Sequence, residues 1–541
     1  MGKIMNNKGI TMPLVIIVLL FATILGFSSL SMINTQVRFN AMDNISKKAL
    51  EYAETGYYKY LWHLNDDVNF YLTDSGIEMN GKTFEYLDGY YKLEVTPPEA
   101  DDRFITIKST GWVKSNPDKK TIIEAKIRKK QFVHHVYVSS ADEYRNNNNR
   151  LVKVWWSKND ECHGPYHTNL NLYIEYSPVF YDIVTYTGKY YGKSSSNREI
   201  ELKTDAQKKA TNAYYNPNFL VKDPQQPQKV DVLEFPESNI DLKKWAEKDN
   251  MVFTGRTCVY LDGKNMKVRK NDGSIHNIDI RSIKNRVVYI DGTTSNTANK
   301  FDLGLGNLFV SGELDEELTI AAANEIYITY DDPTNWYDYT ASDLTRQGVT
   351  PPQPSKTPPL SGGIKYKDIT FKEVKVGNTY ERKAEGSGKA MLGLVANNNI
   401  MILHYGWPRS AGDGGNPYWD FEWEWKNQGT RMNPDYKWVK KTLNNKEKDY
   451  DTAPKDITIH AAVFSIKQGF GFEGYDEGVG KGKITLWGNI TQSTRKPVKQ
   501  GTPGYDKNYF HDPRMFYDYP PHILEPVNVG WEIHDWKEIK P

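Results

Sequence analysis

Carboxylates and imidazoles are the side chains of this 541-residue sequence whose spacing comes nearest to a catalytic or metal site. A glycosidase needs two carboxylates at a defined separation, and Asp331-Asp332 is the best adjacent pair. Pro333 follows it, so the pair fits a turn equally well. His163 and His167 are four residues apart, but Gly164-Pro165 between them argues against the helix that would aim both at one metal. We therefore expect no catalytic residue, no metal site, no cofactor and no enzyme.

The cysteines and the late charged residues suggest structural roles. Cys162 and Cys258 lack the spacing of a zinc site, and they could either form one disulfide in an extracellular domain or remain two buried thiols. Asp506, Asp512 and Arg514 are expected to hold the C-terminal loop through charge-assisted hydrogen bonds.

Residues 404–451 contain an unusual density of tryptophan amid charges. In a strand, alternation would place Trp423 and Trp425 on one face and Glu422 and Glu424 on the other. An aromatic face of this kind could bind a glycan or a neighbouring subunit, and the alternative is that the rings cover the side of their own domain.

Charge balance and composition narrow the class of protein. Lys and Arg total 69 against 68 Asp and Glu, so the chain has almost no net charge to attract nucleic acid. A nucleic-acid partner is therefore not expected. The sequence contains 40 Gly, 27 Pro and 36 Tyr, which is typical of a turn-rich β protein. The length predicts two or three domains.

The N-terminal segment predicts a membrane anchor. No residue from Gly9 to Val37 is charged, and about 20 apolar residues suffice to span a bilayer as a helix. Lys3 and Lys8 precede it, so the positive-inside rule places the N-terminus in the cytoplasm and the remainder outside it. Apolar residues then recur every fourth position to about residue 64, which predicts a helix that continues as an amphipathic segment over residues 10–64.

This arrangement resembles the type IV pilin superfamily, in which a short basic leader ends in Gly before a long helix. Residues 1–9 match such a leader, and the resemblance implies that a prepilin peptidase cleaves between Gly9 and Ile10. It also implies that other pilins or pseudopilins are partners of the helix. Leu14 occupies the fifth mature position, where most pilins have Glu, and this departure is similar to PilX-like minor pilins and the large tip pseudopilin. A plain single-pass anchor is the alternative.

The remainder of the chain is predicted to be mainly β, within an α+β fold. Residues 65–135 contain three alternating segments that form a small antiparallel sheet on the amphipathic half of the helix. Residues 136–541 contain very short strands that end at Gly, Asn or Asp, which favours a large irregular parallel β-helix over a sandwich. Proline-rich residues 349–363 and residues 404–451 are predicted insertions.

The sequence thus predicts a minor pilin or pseudopilin-like component of a type IV filament or related secretion system. Because 62.2 kDa is bulky for a packed filament, a tip or low-abundance position is favoured. A membrane-anchored surface adhesin and an anchored β-helix carbohydrate-active enzyme are the alternatives. Several later phrases, such as Gly504–Arg514, also resemble PilX-type ectodomains.

Overall fold

The computed structural model describes residues 11–98, 104–145, 149–295, 300–335, 360–377, 379–404, 421–442, 453–476, 480–527 and 530–539. The chain divides into two compact units. Unit 1 comprises residues 1–130 together with 529–541, and unit 2 comprises residues 131–528.

Unit 1 is a long helix packed on a five-stranded antiparallel sheet. The helix α1 runs from Thr11 to Asp66, close to the predicted end, and α2 (Asp74–Met79) follows it. The strands lie in the order β1-β2-β3-β4-β36. Their bounds are β1 Thr83–Tyr86, β2 Gly89–Thr96, β3 Ile105–Val113, β4 Asn116–Lys129 and β36 Trp531–Ile539. The expected small antiparallel sheet is therefore present.

Strict alternation fixes which face of this sheet meets the helix. In β3 the odd-numbered residues from Ile105 to Val113 are buried and the residues between them are half-buried. A strand places alternate side chains on opposite faces, so one face is apolar and packs against α1. Ile105, Ile107, Ala125 and Ile127 join Tyr57 of the helix in one core cluster.

The pairing of β36 differs from the predicted domain organisation. Residues 136–541 were expected to form one ectodomain, but β36 pairs antiparallel with β4, with Trp531 opposite Lys129. Unit 2 is consequently an insertion between two strands that are direct neighbours in the sheet of unit 1. Local sequence could not show this, because an edge strand of unit 1 and a strand of unit 2 have the same period of two.

Unit 2 is built mainly from short strands in one sheet of 22 strands, with a three-stranded sheet and three two-stranded sheets beside it. Its helices are α3 (Asp205–Lys209) and α4 (Ile240–Lys248). The strands up to residue 229 are β5 Tyr137–Ala141, β6 Glu143–Arg145, β7 Leu151–Lys153, β8 Glu161–His163, β9 Tyr166–Thr168, β10 Leu172–Tyr173, β11 Val179–Phe180, β12 Val184–Tyr186, β13 Tyr190–Lys193, β14 Glu199–Glu201, β15 Asn218–Phe219 and β16 Gln228–Lys229.

The strands after residue 250 are longer on average. They are β17 Val252–Thr254, β18 Thr257–Gly263, β19 Asn265–Arg269, β20 Ile275–Asp279, β21 Val287–Asp291, β22 Leu308–Leu314, β23 Glu317–Ala322, β24 Ile326–Ile328, β25 Ser361–Tyr366, β26 Ile369–Val376, β27 Thr379–Gly386, β28 Met391–Ala396, β29 Ile400–Ile402, β30 Phe421–Asn427, β31 Tyr436–Thr442, β32 Asp456–Ser465, β33 Phe470–Phe472, β34 Gly480–Thr494 and β35 Gly504–His511.

Pairing in the 22-stranded sheet is parallel except for β18–β19 and β19–β20, among the described residues. Two long series of parallel pairs run through it. Ladder A is β17–β21–β23–β28–β32–β34–β5–β9–β12–β16. Ladder B is β18–β22–β25–β32–β34–β35–β8–β11–β15. The preference for parallel strands over an antiparallel sandwich is therefore confirmed.

In both ladders, strands from the end of unit 2 pair with strands from its beginning. Strand positions rise from residue 252 to residue 511, and the next strands in space are β5 and β8, near the start of the unit. We call this contact, β34 with β5 and β35 with β8, the joint. The chain thus enters in the middle of the ladders, proceeds to one end, crosses to the other end and returns to the middle.

A strap made of residues 230–239 makes this crossing. The backbone of Leu233 exchanges two hydrogen bonds with the Asn169 amide, at 2.8 and 2.7 Å. Further along, the Asn239 amide donates to the carbonyl of Ala322 at 2.8 Å, and the hydroxyl of Tyr289 donates to Asn239 at 3.1 Å. Buried backbone groups must find partners, so these amides allow an irregular segment to lie across ladder A.

A row of buried and half-buried asparagines accompanies the stacking of the strands. The amide of Asn324 donates to the side-chain oxygen of Asn307, and the amide of Asn398 donates to that of Asn324, both at 2.7 Å. Equivalent amides on successive layers can donate and accept in turn, which holds the turns in register.

The predicted insertion at 349–363 is described only at its C-terminal end. Residues 349–359 lie outside the described residues, but Ser361, Gly362 and Gly363 belong to β25 and pair with β32. Gly363 has φ +103, and a Cβ there would lie less than 3.0 Å from the Thr458 carbonyl oxygen. These glycines therefore permit a close strand approach, where the composition suggested a loop.

Candidate functional site: the N-terminal helix

The first half of α1 is bare. Every described side chain from Met12 to Asn44 is exposed, and no residue from Met12 to Val37 is charged. The helix is long and apolar enough to cross a membrane, by its length and composition. At 1.5 Å per residue, its 56 residues extend about 84 Å. Such an apolar surface requires a nonaqueous environment, which a bilayer or other apolar helices supply.

The second half of α1 is packed. Ala49, Ala53, Tyr57 and Leu64 are completely buried, and their spacings of four and seven place them on one side of the helix. Burial raises the pKa of Tyr60 on the same side to about 12. The helix therefore changes from a surface without protein contacts to the central core element of unit 1.

Two small residues set how closely the helix approaches the sheet. A Cβ on Gly111 of β3 would lie less than 3.0 Å from the Ala49 carbonyl oxygen and the Ala53 nitrogen. A Cβ on Gly56 of the helix would be equally close to Ser109 and Tyr91. Glycine is thus required at both positions because backbone and side chains from the other element fill the space.

Hydrogen bonds from Lys48 and Tyr52 to Asp88 attach the helix to the sheet where the packed half of α1 begins. Lys48 contacts Asp88, with Nζ 2.8 Å from the carboxylate, and the hydroxyl of Tyr52 donates to the same group. The Lys48 hydrogen bond, followed by that of Tyr52, lowers the pKa of Asp88 to about 2. Asp88 therefore stays ionised and accepts both hydrogen bonds over the physiological pH range.

The predicted processing residues are only partly described. Gly9 and Ile10 lie outside the described residues, whereas Leu14 is in α1 and is 58% exposed. Leu14 thus presents an apolar side chain where a carboxylate would need a partner in a bilayer.

The structure separates His163 from His167. His163 on β8 lies between two carboxylates, with Nδ1 2.8 Å from Glu373 and Nε2 3.0 Å from Glu161. His167 on β9 contacts Thr185 and Asn169 through its two ring nitrogens. In the part of the chain that the structure describes, no group of three or more His, Cys, Asp or Glu side chains could hold a metal ion.

Asp332 has a structural role. It accepts hydrogen bonds from the backbone and hydroxyl of Thr334, and it forms an ion pair with Lys267 at 3.2 Å. The backbone carbonyl of Asp331 accepts from Ser311 and Thr329. These contacts correspond to the turn that the sequence offered as the alternative to a catalytic pair.

Cys162 and Cys258 are both buried thiols and are not joined to each other. The sequence left open either a disulfide or two buried thiols, and the structure contains two buried thiols. Cys162 lies in the main core, and burial raises its pKa. Cys258 packs with Phe301, Phe309 and Leu403 in a separate cluster.

The predicted tryptophan strand is present as β30, paired with β31 in a hairpin. Trp425 lies opposite Trp438, with ring centroids 5.4 Å apart, and its plane is within 17° of that of Tyr436. The side chain of Tyr436 is 51% exposed. Residues 405–420 and 443–451 of the predicted insertion lie outside the described residues, as does the side chain of Trp423.

The late charged residues behave as expected. Arg514 contacts Asp512, with Nη2 2.6 Å from the carboxylate, and donates to the Ala390 carbonyl at 2.9 Å. Asp506 pairs with Lys499 at 2.6 Å.

Sequence reasoning missed the charges at the joint. Arg495 and Asp142 are 2% and 0% exposed and lie 3.4 Å apart, and Lys507 lies 3.1 Å from Asp160. Each pair joins a cation from the last part of unit 2 to a carboxylate from its first part. Residues 353 and 347 positions apart share no local pattern, so no sequence signal could have identified these pairs.

Comparisons with known proteins add little to this geometry. No protein-family model and no curated protein matches the sequence. Among solved structures, the competence-associated pilin ComZ from Thermus thermophilus aligns at 10% identity over 92% of this chain and 98% of that chain, with a TM-score of 0.24. An alignment at that score and identity carries no weight for fold or function.

Proposed function

We propose that this chain is a membrane-anchored minor pilin or pseudopilin-like component of a type IV filament or a related secretion system. The observation that carries the proposal is the division of α1 into a bare apolar half and a half packed on an antiparallel sheet. A bare helix of this length can reside in the bilayer and later exchange lipid for neighbouring pilin-type helices, since both environments are apolar.

Maturation by a prepilin peptidase is part of this proposal. The basic leader that ends at Lys8-Gly9 and the apolar sequence from Ile10 onward support cleavage between Gly9 and Ile10. The leader faces the cytoplasm and both folded units lie outside it, because Lys3 and Lys8 precede the span.

Leu14 supports a PilX-like or tip position. A carboxylate at this point is thought to pair with the terminal amine of a neighbouring subunit, and Leu14 makes no such pair. The bulk of unit 2 also favours a position with few neighbours, as at a filament tip.

We further propose that unit 2 is an irregular β-helix with a binding or structural role and no enzymatic activity. Its parallel ladders and the asparagine row from Asn307 to Asn398 support the first part. The structural contacts of Asp332 and His167 support the second.

N-terminal sequencing of the protein extracted from membranes tests processing. We expect the sequence to begin at Ile10 in cells with an active prepilin peptidase, and at Met1 in the Gly9→Val variant. Gly26→Ala is the matched control, because its added Cβ meets nothing within 4 Å. A wild-type protein that begins at Met1 in such cells would contradict the proposal.

Cysteine cross-linking in sheared filaments tests assembly. Val37→Cys places a thiol on the bare half, where Val37 is 60% exposed, and should cross-link to a neighbouring pilin. Ala53→Cys places it on the completely buried face and should not. Absence of the protein from sheared filaments would instead favour the surface adhesin.

The aromatic hairpin favours that adhesin as a second candidate. The rings of Trp425, Tyr436 and Trp438 lie together on β30–β31, and sugar rings stack on such faces. Loss of binding to host or wall glycans in Trp425→Ala, with filaments unaffected, would support this candidate. Unchanged binding would exclude the hairpin as its site.

A further inference from the structure

Five ring-bearing side chains form a column on ladder B. They are His460 on β32, Trp487 on β34, Phe510 on β35, His163 on β8 and Tyr181 directly after β11. The first four are paired residue to residue across neighbouring strands. Ring centroids lie 4.3 Å apart for Trp487–Phe510 and Phe510–His163, and 4.0 Å apart for His163–Tyr181. The column therefore crosses the joint.

The hairpin β26–β27 covers this column on both sides of the joint. Phe371 stacks on Trp487 with ring centroids 4.9 Å apart and planes 10° apart. At the other end, Tyr380 contacts Tyr181 at 4.9 Å, and Arg382 pairs with Asp182 at 2.6 Å. The hairpin thus contacts residues on both sides of the joint, Trp487 on β34 and Tyr181 after β11. It forms a separate two-stranded sheet and pairs with neither ladder.

The contact at the centre of the hairpin depends on a proton. Glu373 of β26 lies 2.8 Å from Nδ1 of His163, and Glu161 lies 3.0 Å from Nε2. A carboxylate only accepts hydrogen bonds, and a neutral imidazole has one N–H. Only the imidazolium form can donate to both carboxylates. Loss of the proton leaves one carboxylate facing a nitrogen lone pair, at a site where His163 is 5%, Glu373 12% and Glu161 46% exposed.

The remaining charges around His163 increase this dependence. From the hairpin, Arg382 lies 3.8 Å from Glu373 but is also engaged by Asp182. The Tyr181 hydroxyl donates to Glu161, and burial raises the pKa of Tyr181, so it remains a neutral donor. On β35, Phe510 is uncharged and Lys507 pairs with Asp160. Without the proton on His163, Glu373 and Asp182 share the guanidinium of Arg382, and Glu161 accepts from the neutral Tyr181 hydroxyl.

We propose that the β26–β27 hairpin is a proton-controlled clasp on unit 2. Protonated His163 holds the hairpin across the joint, and loss of this proton releases the hairpin and uncovers the ring of Trp487. The clasp is independent of the pilin proposal, because all of its residues lie in unit 2.

Hydrogen exchange of the full chain in detergent micelles tests the clasp. Exchange of the peptide 369–386 is followed by mass spectrometry from about pH 5 to about pH 9, with each rate divided by its intrinsic chemical rate. We expect protection of the hairpin to fall as pH rises over this range, by up to about tenfold per pH unit, because the imidazolium that donates to both carboxylates is lost. Protection of β32 in the core should not fall as pH rises over the same range.

Three variants decide between the clasp and a passive hairpin. In Glu373→Gln, a neutral imidazole can donate to Glu161 and accept from the amide, so protection should persist at high pH. In His163→Gln, protection should no longer depend on pH. Lys372→Gln removes an ion pair with Glu385 that is 52% exposed on both sides, and it should retain the wild-type profile.

Two outcomes would overturn the clasp. One is wild-type hairpin protection that stays constant over the whole pH range. The other is a fall with pH that persists in His163→Gln, because another group would then be titrating. If Glu373→Gln does not fold, the comparison of wild type with His163→Gln still decides the question.

Discussion

Trp531 lies directly opposite Lys129 in the antiparallel pair of β36 with β4. Residues 131–528 therefore leave and rejoin unit 1 at adjacent points of one sheet. Two residues can connect antiparallel strands in a hairpin, so Lys130 and Gly530 alone are sufficient to replace the whole of unit 2. Unit 1 keeps all five of its strands in such a protein.

The first prediction concerns this replacement. A protein made of residues 38–130 joined directly to 530–541 should fold, because its core from Tyr57 to Trp531 is complete. We expect a cooperative thermal transition measured by circular dichroism. The same protein with Trp531→Ala should melt at a lower temperature, since a buried Trp is lost. A non-cooperative transition would show that unit 1 depends on unit 2.

The second prediction concerns the approach of β3 to α1. Gly111→Ala should destabilise unit 1 by about 1–3 kcal/mol, because the new methyl group must displace helix backbone at Ala49 and Ala53. Thr110→Ala, on the opposite face of the same strand, should cost less than about 1 kcal/mol. Denaturant unfolding of the shortened protein measures both, and equal costs would contradict the close approach.

The third prediction concerns the buried charge at the joint. Asp142→Asn should destabilise unit 2 by about 3–5 kcal/mol, since it leaves the guanidinium of Arg495 buried without its carboxylate. Asp506→Asn is the control, because it breaks the ion pair with Lys499 in which Asp506 is 58% exposed. This substitution should cost at most about 1 kcal/mol. Urea unfolding compares the two, and a cost for Asp142→Asn no greater than the control would argue against a buried pair.

The fourth prediction concerns acid. His460 is buried, and its Nδ1 accepts a hydrogen bond from the Tyr366 backbone N–H at 3.0 Å. Burial, followed by the charge of Arg514, lowers the pKa of His460 to about 3 from an ordinary value of 6.5. The unfolded chain therefore binds this proton more readily than the folded chain. The contribution of neutral His460 to the stability of the folded state is complete above pH 6.5 and is lost between pH 6.5 and about 3.

His460→Gln retains an acceptor but cannot titrate. We expect the stability of unit 2 to fall less steeply in this variant as pH decreases from 6.5 to 3, by up to about 1.4 kcal/mol per pH unit less than in the wild type. His135 also has a pKa lowered to about 3 by burial, so part of the acid sensitivity should remain. Identical slopes in both proteins would show that His460 does not titrate as expected.

Local patterns identified the elements but not their partners. The apolar run to Val37 and the stripe to residue 64 predicted α1, and short strands such as Val287–Asp291 and Ile326–Ile328 were visible as apolar runs. The glycines in β25 were misread because a loop and a close strand approach call for the same residue.

By itself, the sequence determined the long helix, the small antiparallel sheet and the parallel character of the large one. Each of these depends on periodicities of 3.6 or 2 residues, or on turn residues close by in the chain. Only the tertiary structure decided that β36 belongs to unit 1, that β34 and β35 meet β5 and β8 at the joint, and that His163 lies between Glu161 and Glu373. These contacts join residues far apart in the chain; Arg128 and Glu532, for example, are 404 positions apart. Strands with the same period are interchangeable locally, so their partners are selected only when side chains pack together.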